Sequence, residues 1–316
     1  MFFGLYCLCM LKYYVRRSLA EAFEEVSRPP KQGVWIHGDN IAEHELVQLA
    51  DTYGFDLNLI RDVLDVNELA RVDTENGKDL YVFIRTAHRT RQGVVVTTPI
   101  LLAVKGTVFI NLSMANTEHH RPARPSVIAQ ASDTISLLLG TFAAVVEEYE
   151  GFMQHTSHYI YDTERRLRTH EVTNDDFIRF VTVENNLNEY RTHLSGMQAV
   201  AGRLQELMTD KGDKEAVEDI ELYIKQLLVG IASLKQSITS IRNTYGMIAN
   251  NSLNQRIKAL TVLMALIALP GVFYGMYGMN VALPFQHEPW AYGVISLSSI
   301  VITLCVFLFA KKRGIF

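Results

Sequence analysis

Cysteine is scarce: Cys7, Cys9 and Cys305 are the three in 316 residues. Three cannot pair completely, Cys305 lies in an apolar run, and Cys7-x-Cys9 has no second pair of ligands to complete a zinc site. A disulfide scaffold and a zinc ribbon are therefore set aside in favour of a reduced cytoplasmic domain. Basic charge is not in excess either; the formal net charge is −4, which gives nucleic acid no purchase. No glycine-rich phosphate loop occurs. Scattered Ser, His and Asp show no nucleophile with its base, no paired acid–base groups and no cofactor motif, so an enzyme lacks a site. The most informative absence is local: in residues 259–310 only Glu288 is charged.

That stretch holds two uncharged runs, residues 259–279 and 290–310, of 21 residues each. At 1.5 Å per residue each covers about 32 Å, close to a hydrocarbon core of ~30 Å. Buried in a soluble core, two such runs at the end of a chain would be unusual, so they are expected to be transmembrane helices. Arg256 and Lys258 precede the first, Lys311, Lys312 and Arg313 follow the second, and residues 281–289 between them carry no Lys or Arg. The positive-inside rule puts both termini in the cytoplasm and the short loop outside. Trp290 and Tyr292 suit the outer interface, and the basic tail, 311–316, suits anionic headgroups.

Ahead of the spans the chain reads as two regions. Residues 1–125 are expected to be a cytoplasmic α/β domain. Residues 1–11 are apolar but too short to span a bilayer, and they lack a preceding basic region, so an edge strand running into Lys12 and Val15 is expected rather than a leader. Val34, Trp35 and Ile36 read as a strand, with Asp39 or Asn40 capping a helix through Leu49. Residues 57–64 read as a second short helix. Asn76-Gly77 favours a tight hairpin turn leading into Leu80 to Ile84. Val94 to Val104, Lys105-Gly106 and Thr107 to Leu112 read as another hairpin. Residues 116–125, with two prolines, read as a linker. Residues 126–212 then read as a helical pair, 126–170 and 173–208, with a break at 209–213 around Gly212.

Residues 213–258 read as a stalk helix. Ile220, Ile224, Leu227, Ile231, Leu234, Ile238, Ile241, Tyr245 and Ile248 recur in alternating steps of four and three, which keeps one seam facing a partner. The partner is either a neighbouring helix of the same subunit or another copy in a coiled coil. No breaker other than isolated glycines interrupts the chain from Lys214 to Leu269, so this helix is expected to enter the membrane directly.

The first span closes on Tyr277-Gly278-Met279-Asn280. A long stalk helix, then this tripeptide at the outer end of the first of two C-terminal spans, then a short loop and a basic tail together closely resemble the CorA family of divalent-cation channels. The resemblance covers essentially the whole chain and is strongest from about Asp213 onward. It implies an α+β cytoplasmic domain followed by long stalk helices and two C-terminal transmembrane helices, assembled as a funnel-shaped homopentamer in the inner (plasma) membrane. The first spans would line the pore, and residues 280–289 would form the external loop. It further implies that Gly278, Met279 and Asn280 form the selectivity ring. Asn254 would form a polar ring near the cytoplasmic end, Leu260 a hydrophobic constriction, and Asp219 an intersubunit regulatory Mg²⁺ site. The partners implied are other copies of the chain, the bilayer and divalent cations; no cofactor is implied beyond the Mg²⁺ transported or bound for regulation.

The chain also departs from the family's best-known Mg²⁺ channels. Ala268 replaces a bulky methionine at a constriction, Asn243 stands in place of a second acidic stalk residue, and the external loop lacks Met-Pro-Glu-Leu. The resemblance extends to ZntB-like Zn²⁺ transporters, so Zn²⁺, or Co²⁺ or Ni²⁺, is the alternative cargo. His287 beside Glu288 could attract Zn²⁺ at the mouth, although a solvated pair is the simpler reading. His155 with His158, and His119-His120, lack further ligands. Glu147, Glu148 and Glu150 could concentrate cations near the cytoplasmic exit, although a solvated helix face is the simpler reading. A non-conducting membrane sensor on the same scaffold is a third reading, against which Gly-Met-Asn and Asn254 argue.

Overall fold

The computed structural model describes residues 10–16, 23–89, 94–114, 133–168, 174–280, 284, 285 and 287–312. The chain divides into two compact units, Met1–Thr239 and Ser240–Phe316. The first contains a seven-stranded mixed sheet ordered β2-β1-β3-β7-β6-β5-β4. Its strands are β1 (Met10–Val15), β2 (Glu24–Glu25), β3 (Val34–Asp39), β4 (Arg71–Glu75), β5 (Asp79–Arg89), β6 (Val95–Lys105) and β7 (Val108–Ser113). Only β3 and β7 run parallel; the other neighbours are antiparallel.

Alternating side chains feed two layers, because successive residues of a strand point to opposite faces. On one face Ile36, Phe83, Leu101 and Ile110 pack with Leu46 and Leu49 of α1 (Glu43–Tyr53) and Ile60 of α2 (Leu57–Arg61). Both faces are covered, so β7 is buried at every residue, the polar Asn111 and Ser113 included, rather than alternating between buried and exposed.

Local signals held at two hairpin turns. Asn76 and Gly77 take φ of 53° and 66°, and Gly106 takes 57°, the left-handed backbone that tight hairpins demand. Asp56 caps α2, its Oδ1 accepting from Asn58 N–H at 2.8 Å. Two expectations need correction. Neither Asp39 nor Asn40 caps α1; Ala42 is the N-cap residue, and Glu45 accepts the Ala42 N–H at 3.0 Å. The extended β3 continues through Asp39, which moves the helix start downstream. β1 is also not the edge, because the two-residue β2 pairs outside it. Residues 1–9, with Cys7 and Cys9, the linker 116–125 and the junction 169–173 lie outside the described residues.

Two long helices follow, α3 (Thr134–Arg168) and α4 (Asn174–Leu207). The α3 helix lies against the sheet: Thr134 Oγ1 donates to Gly106 O and Tyr149 OH donates to Arg85 O at 2.9 Å. The α4 helix docks through Asn186, which accepts Val95 N–H, and through His193, 3.0 Å from Thr97 Oγ1. Arg85 sits beneath this junction, its guanidinium donating to the carbonyls of Val66, Glu68 and Thr97. Burial lowers its pKa.

The next helix, α5, spans Lys211–Tyr277. Its start corrects the expected break: Gly212 lies in the first turn, and Asp210 Oδ2 accepts from Gly212 N–H at 2.7 Å. Within the first unit the seam is buried at Ile220, Ile224, Leu227, Ile231 and Ile238. Its partners are helices of the same chain. A Cβ on Gly230 would meet Met153 Cε of α3 at 2.8 Å, Tyr223 OH donates to Glu150 of α3, and Lys235 Nζ donates to Asn188 of α4.

Candidate functional site

The second unit, Ser240–Phe316, contains the remainder of α5 and α6 (Ala291–Lys312). Both helices are long and apolar enough to cross a membrane; none of the apolar stretch of α5 and 11 % of that of α6 is buried. A pair of core helices in a soluble protein would be mostly buried, so these surfaces are built to face lipid or other helices.

The α5 helix runs through Pro270. Proline removes one helical hydrogen bond and frees the carbonyl of the residue four before it, Leu266, an arrangement tolerated in membrane helices where neighbours offer polar groups. Here Leu266, Pro270 and Tyr274 share a groove of about 400 Å³ with Ser299, Thr303 and Phe307 of α6. Tyr274 OH donates to Ser296 Oγ at 3.2 Å. These contacts fix which side of α5 is covered.

At about 100° per residue, Asn243, Asn250, Asn254, Thr261 and Ala268 fall within roughly 40° of one another on α5, and the line of Leu266, Pro270 and Tyr274 lies roughly opposite. Ile241, buried, and the half-buried Tyr245 and Ile248 also lie on that opposite side. Asn243, Asn250, Asn254, Thr261 and Ala268 are all exposed. The chain thus leaves one narrow charge-free line of the helix exposed. Leu260, 54 % exposed, does not share that line: like Gly278 it lies roughly 100° around the helix from Asn254 and Ala268. Asn250 and Thr261 were missed in the sequence; their spacing of seven from Asn243 and Asn254 was the available signal.

At the end of α5, Gly278 N–H donates to Tyr274 O at 3.0 Å and Met279 N–H to Met276 O at 3.3 Å. Gly278 does not take a positive φ, and the chain keeps a helical hydrogen bond through it. What glycine does provide is space, on an exposed turn shared with Met279 and Asn280. Beyond it, Phe285 packs on Trp290 with ring centroids 5.1 Å apart, and Glu288 N–H closes a turn onto Phe285 O. His287 and Glu288 are both exposed.

Other candidates lie in the first unit. Asp219 is exposed on α5, and no group of three or more His, Cys, Asp or Glu converges to hold a metal ion among the described residues. His155 and His158 are exposed. Among the acids of α3, Glu148 accepts from Thr86 Oγ1 at 3.1 Å and Glu150 accepts from Tyr223 OH.

A family model described as CorA-like Mg²⁺ transporter protein matches residues 30–312. The cobalt/magnesium transport protein CorA of Methanocaldococcus jannaschii is 21 % identical over 304 residues, covering 92 % of this chain and 94 % of that protein. The complete structure of the CorA magnesium transporter from the same organism is similar with a TM-score of 0.84 at 17 % identity, over 97 % of this chain and 99 % of that one. The full-length CmaX protein follows with a TM-score of 0.72 at 13 % identity, over 96 % and 98 %.

Proposed function

This chain belongs to the CorA-like Mg²⁺ transporter protein family, and on that premise we propose that it is a channel carrying Mg²⁺ passively into the cytoplasm. The pore is lined by the first spans of a homo-oligomer, a pentamer by the family resemblance, in the inner membrane with both termini cytoplasmic. One observation carries the reading: a membrane-length helix whose exposed line of uncharged residues runs from Asn254 through Thr261 to Ala268 and which ends on the exposed Gly278-Met279-Asn280 turn.

The chemistry suits Mg²⁺, which sheds water reluctantly and prefers octahedral oxygen ligation. A ring of Asn280 carboxamides accepts hydrogen bonds from the hydrated ion without a fixed charge to trap it, and Gly278 leaves room for its water shell. Ala268 leaves the path wider than a methionine would; Leu260, the hydrophobic constriction implied by the family resemblance, lies off the Asn254–Ala268 line and narrows the path only where α5 turns that side inward. A potential of 100 mV supplies ~2.3 kcal/mol per charge, hence about 4.6 kcal/mol for a divalent ion, an accumulation on the order of a thousandfold. Such a driving force calls for closure when internal Mg²⁺ is high. Mg²⁺ bridging Asp219 of one copy to groups of the next supplies it, and its signature is inhibition by internal Mg²⁺ that Asp219→Asn relieves.

The test is influx of Mg²⁺ and of Zn²⁺, measured separately in liposomes holding the purified protein, with Asn280→Ala alongside. Mg²⁺ influx abolished by the substitution supports the channel and its selectivity ring together. Zn²⁺ influx with little Mg²⁺ moves the cargo to Zn²⁺, the reading that the exposed His287 and Glu288 favour. An assembled oligomer that passes neither ion refutes transport and leaves a membrane sensor.

A further inference from the structure

The face of α5 opposite its packed side carries more amide groups than the one position assigned above. Asn243, Asn250 and Asn254 are separated by seven and four residues, so at about 100° per residue they share one line within roughly 40°. All three are exposed. In residues 240–258 there is no Asp or Glu, and the cations are Arg242, Arg256 and Lys258. Arg242 and Arg256 lie roughly 100° or more around the helix from the line, and Lys258 roughly 60°. The line itself therefore offers only neutral carbonyl oxygens and amide donors.

We propose that Asn243 and Asn250 are two further binding stations for a hydrated divalent cation, forming with Asn254 a ladder of carboxamides on the cytoplasmic approach to the span. The proposal deepens the channel reading and rests on it, because the stations close into rings only where copies of α5 face one another. The cation is bound through its water. An amide oxygen accepts a hydrogen bond from a metal-bound water, whose protons the ion has made more acidic, while the intact first shell avoids the dehydration that Mg²⁺ resists. Neutral oxygens hold the ion weakly, and several weak sites in series allow both entry and departure. A carboxylate at either station would bind more tightly and slow release. A hydrocarbon side chain there would turn a wet ring into one that gates by dewetting. The continuation of the same line through Thr261 and Ala268 into the span gives the ladder a destination, which a solvated helix face has no reason to share.

The experiment uses the full-length protein in liposomes, with two readouts. First, Asn243→Leu and Asn250→Leu lower Mg²⁺ influx by about tenfold or more, the scale of one lost hydrogen-bonding station, while the polar Asn250→Ser stays within about threefold of the parent. Oligomer mass is checked for each. Second, Asn250→Cys is placed in a chain with Cys7, Cys9 and Cys305 changed to Ser, and its modification by a cationic methanethiosulfonate is timed. Mg²⁺ slows that modification, and Na⁺ at equal ionic strength does not. Leucine variants that assemble and carry parental flux overturn the proposal, as does a modification rate indifferent to Mg²⁺. If Asn280→Ala and the parent alike carry no ion, the channel reading has failed on its own, and the protection experiment still decides whether the ladder binds a cation.

Discussion

Changing Gly278 to Ala separates what the subunit needs from what the pore needs. A Cβ built on Gly278 meets Tyr274 O at 3.4 Å and Gly275 O at 3.6 Å, which is ordinary van der Waals contact. Its φ is not positive, and the N–H bond to Tyr274 O at 3.0 Å survives the change. Within one chain the methyl group is therefore harmless. Removing glycine's freedom in the unfolded state even favours the folded turn by about 0.4–1 kcal/mol. If Gly278 lines the pore mouth as proposed, every subunit adds the same methyl group there, where it displaces water from the shell of the passing ion. An added barrier of only ~1.4 kcal/mol lowers flux about tenfold. The expected outcome is an oligomer of unchanged mass, with a thermal midpoint equal to or slightly above that of the parent, whose Mg²⁺ influx falls by about tenfold or more. Size-exclusion chromatography, thermal unfolding in detergent and liposome flux measure the three quantities on one preparation. Loss of assembly or of thermal stability would show that the backbone itself requires glycine, and unaltered flux would remove Gly278 from the constriction.

Two further outcomes concern the first unit. His193 packs against Thr97 and Glu189 beside Arg85, and burial, followed by the Arg85 charge, holds its pKa below the ordinary 6.5. The unfolded chain then takes up the proton at a higher pH than the folded one, so the stability this imidazole contributes is complete above about pH 6.5 and is lost as pH falls through the depressed folded value. Thermal midpoints measured downward from about pH 7.5 should fall more steeply for the parent than for His193→Gln, and parallel profiles would contradict the reasoning. On α5, Ile231 is fully buried whereas Val229 is 71 % exposed. Ile231→Ala should cost about 2–5 kcal/mol and Val229→Ala about 0.5 kcal/mol or less, read from denaturant midpoints; equal costs would deny that the seam packs within one chain.

Much of this protein was legible in its sequence because the signals are local. Asn76-Gly77 and Lys105-Gly106 specify tight hairpin turns in their own backbone. The two spans announce themselves by length and absence of charge, and the Gly-Met-Asn tripeptide placed after a stalk and before a short loop pointed to the family that residues 30–312 match. Where the reading slipped, the deciding contacts came from elsewhere in the chain. Asp39 and Asn40 are good capping residues, yet β3, held between β1 and β7, extends through Asp39 and hands the cap to Ala42. The seam of α5 illustrates the boundary most clearly. Its four-and-three spacing dictates that one side of the helix must be covered, and no sequence pattern says by what. Met153, Glu150 and Asn188, remote in sequence, answer that in the first unit, and α6 covers Pro270 and Tyr274 in the second. Periodicity fixes the direction in which a helix is apolar because it follows from 3.6 residues per turn. Only tertiary structure decides which direction is left open, because that depends on where distant segments come to rest; here the open side is the one that carries the asparagines.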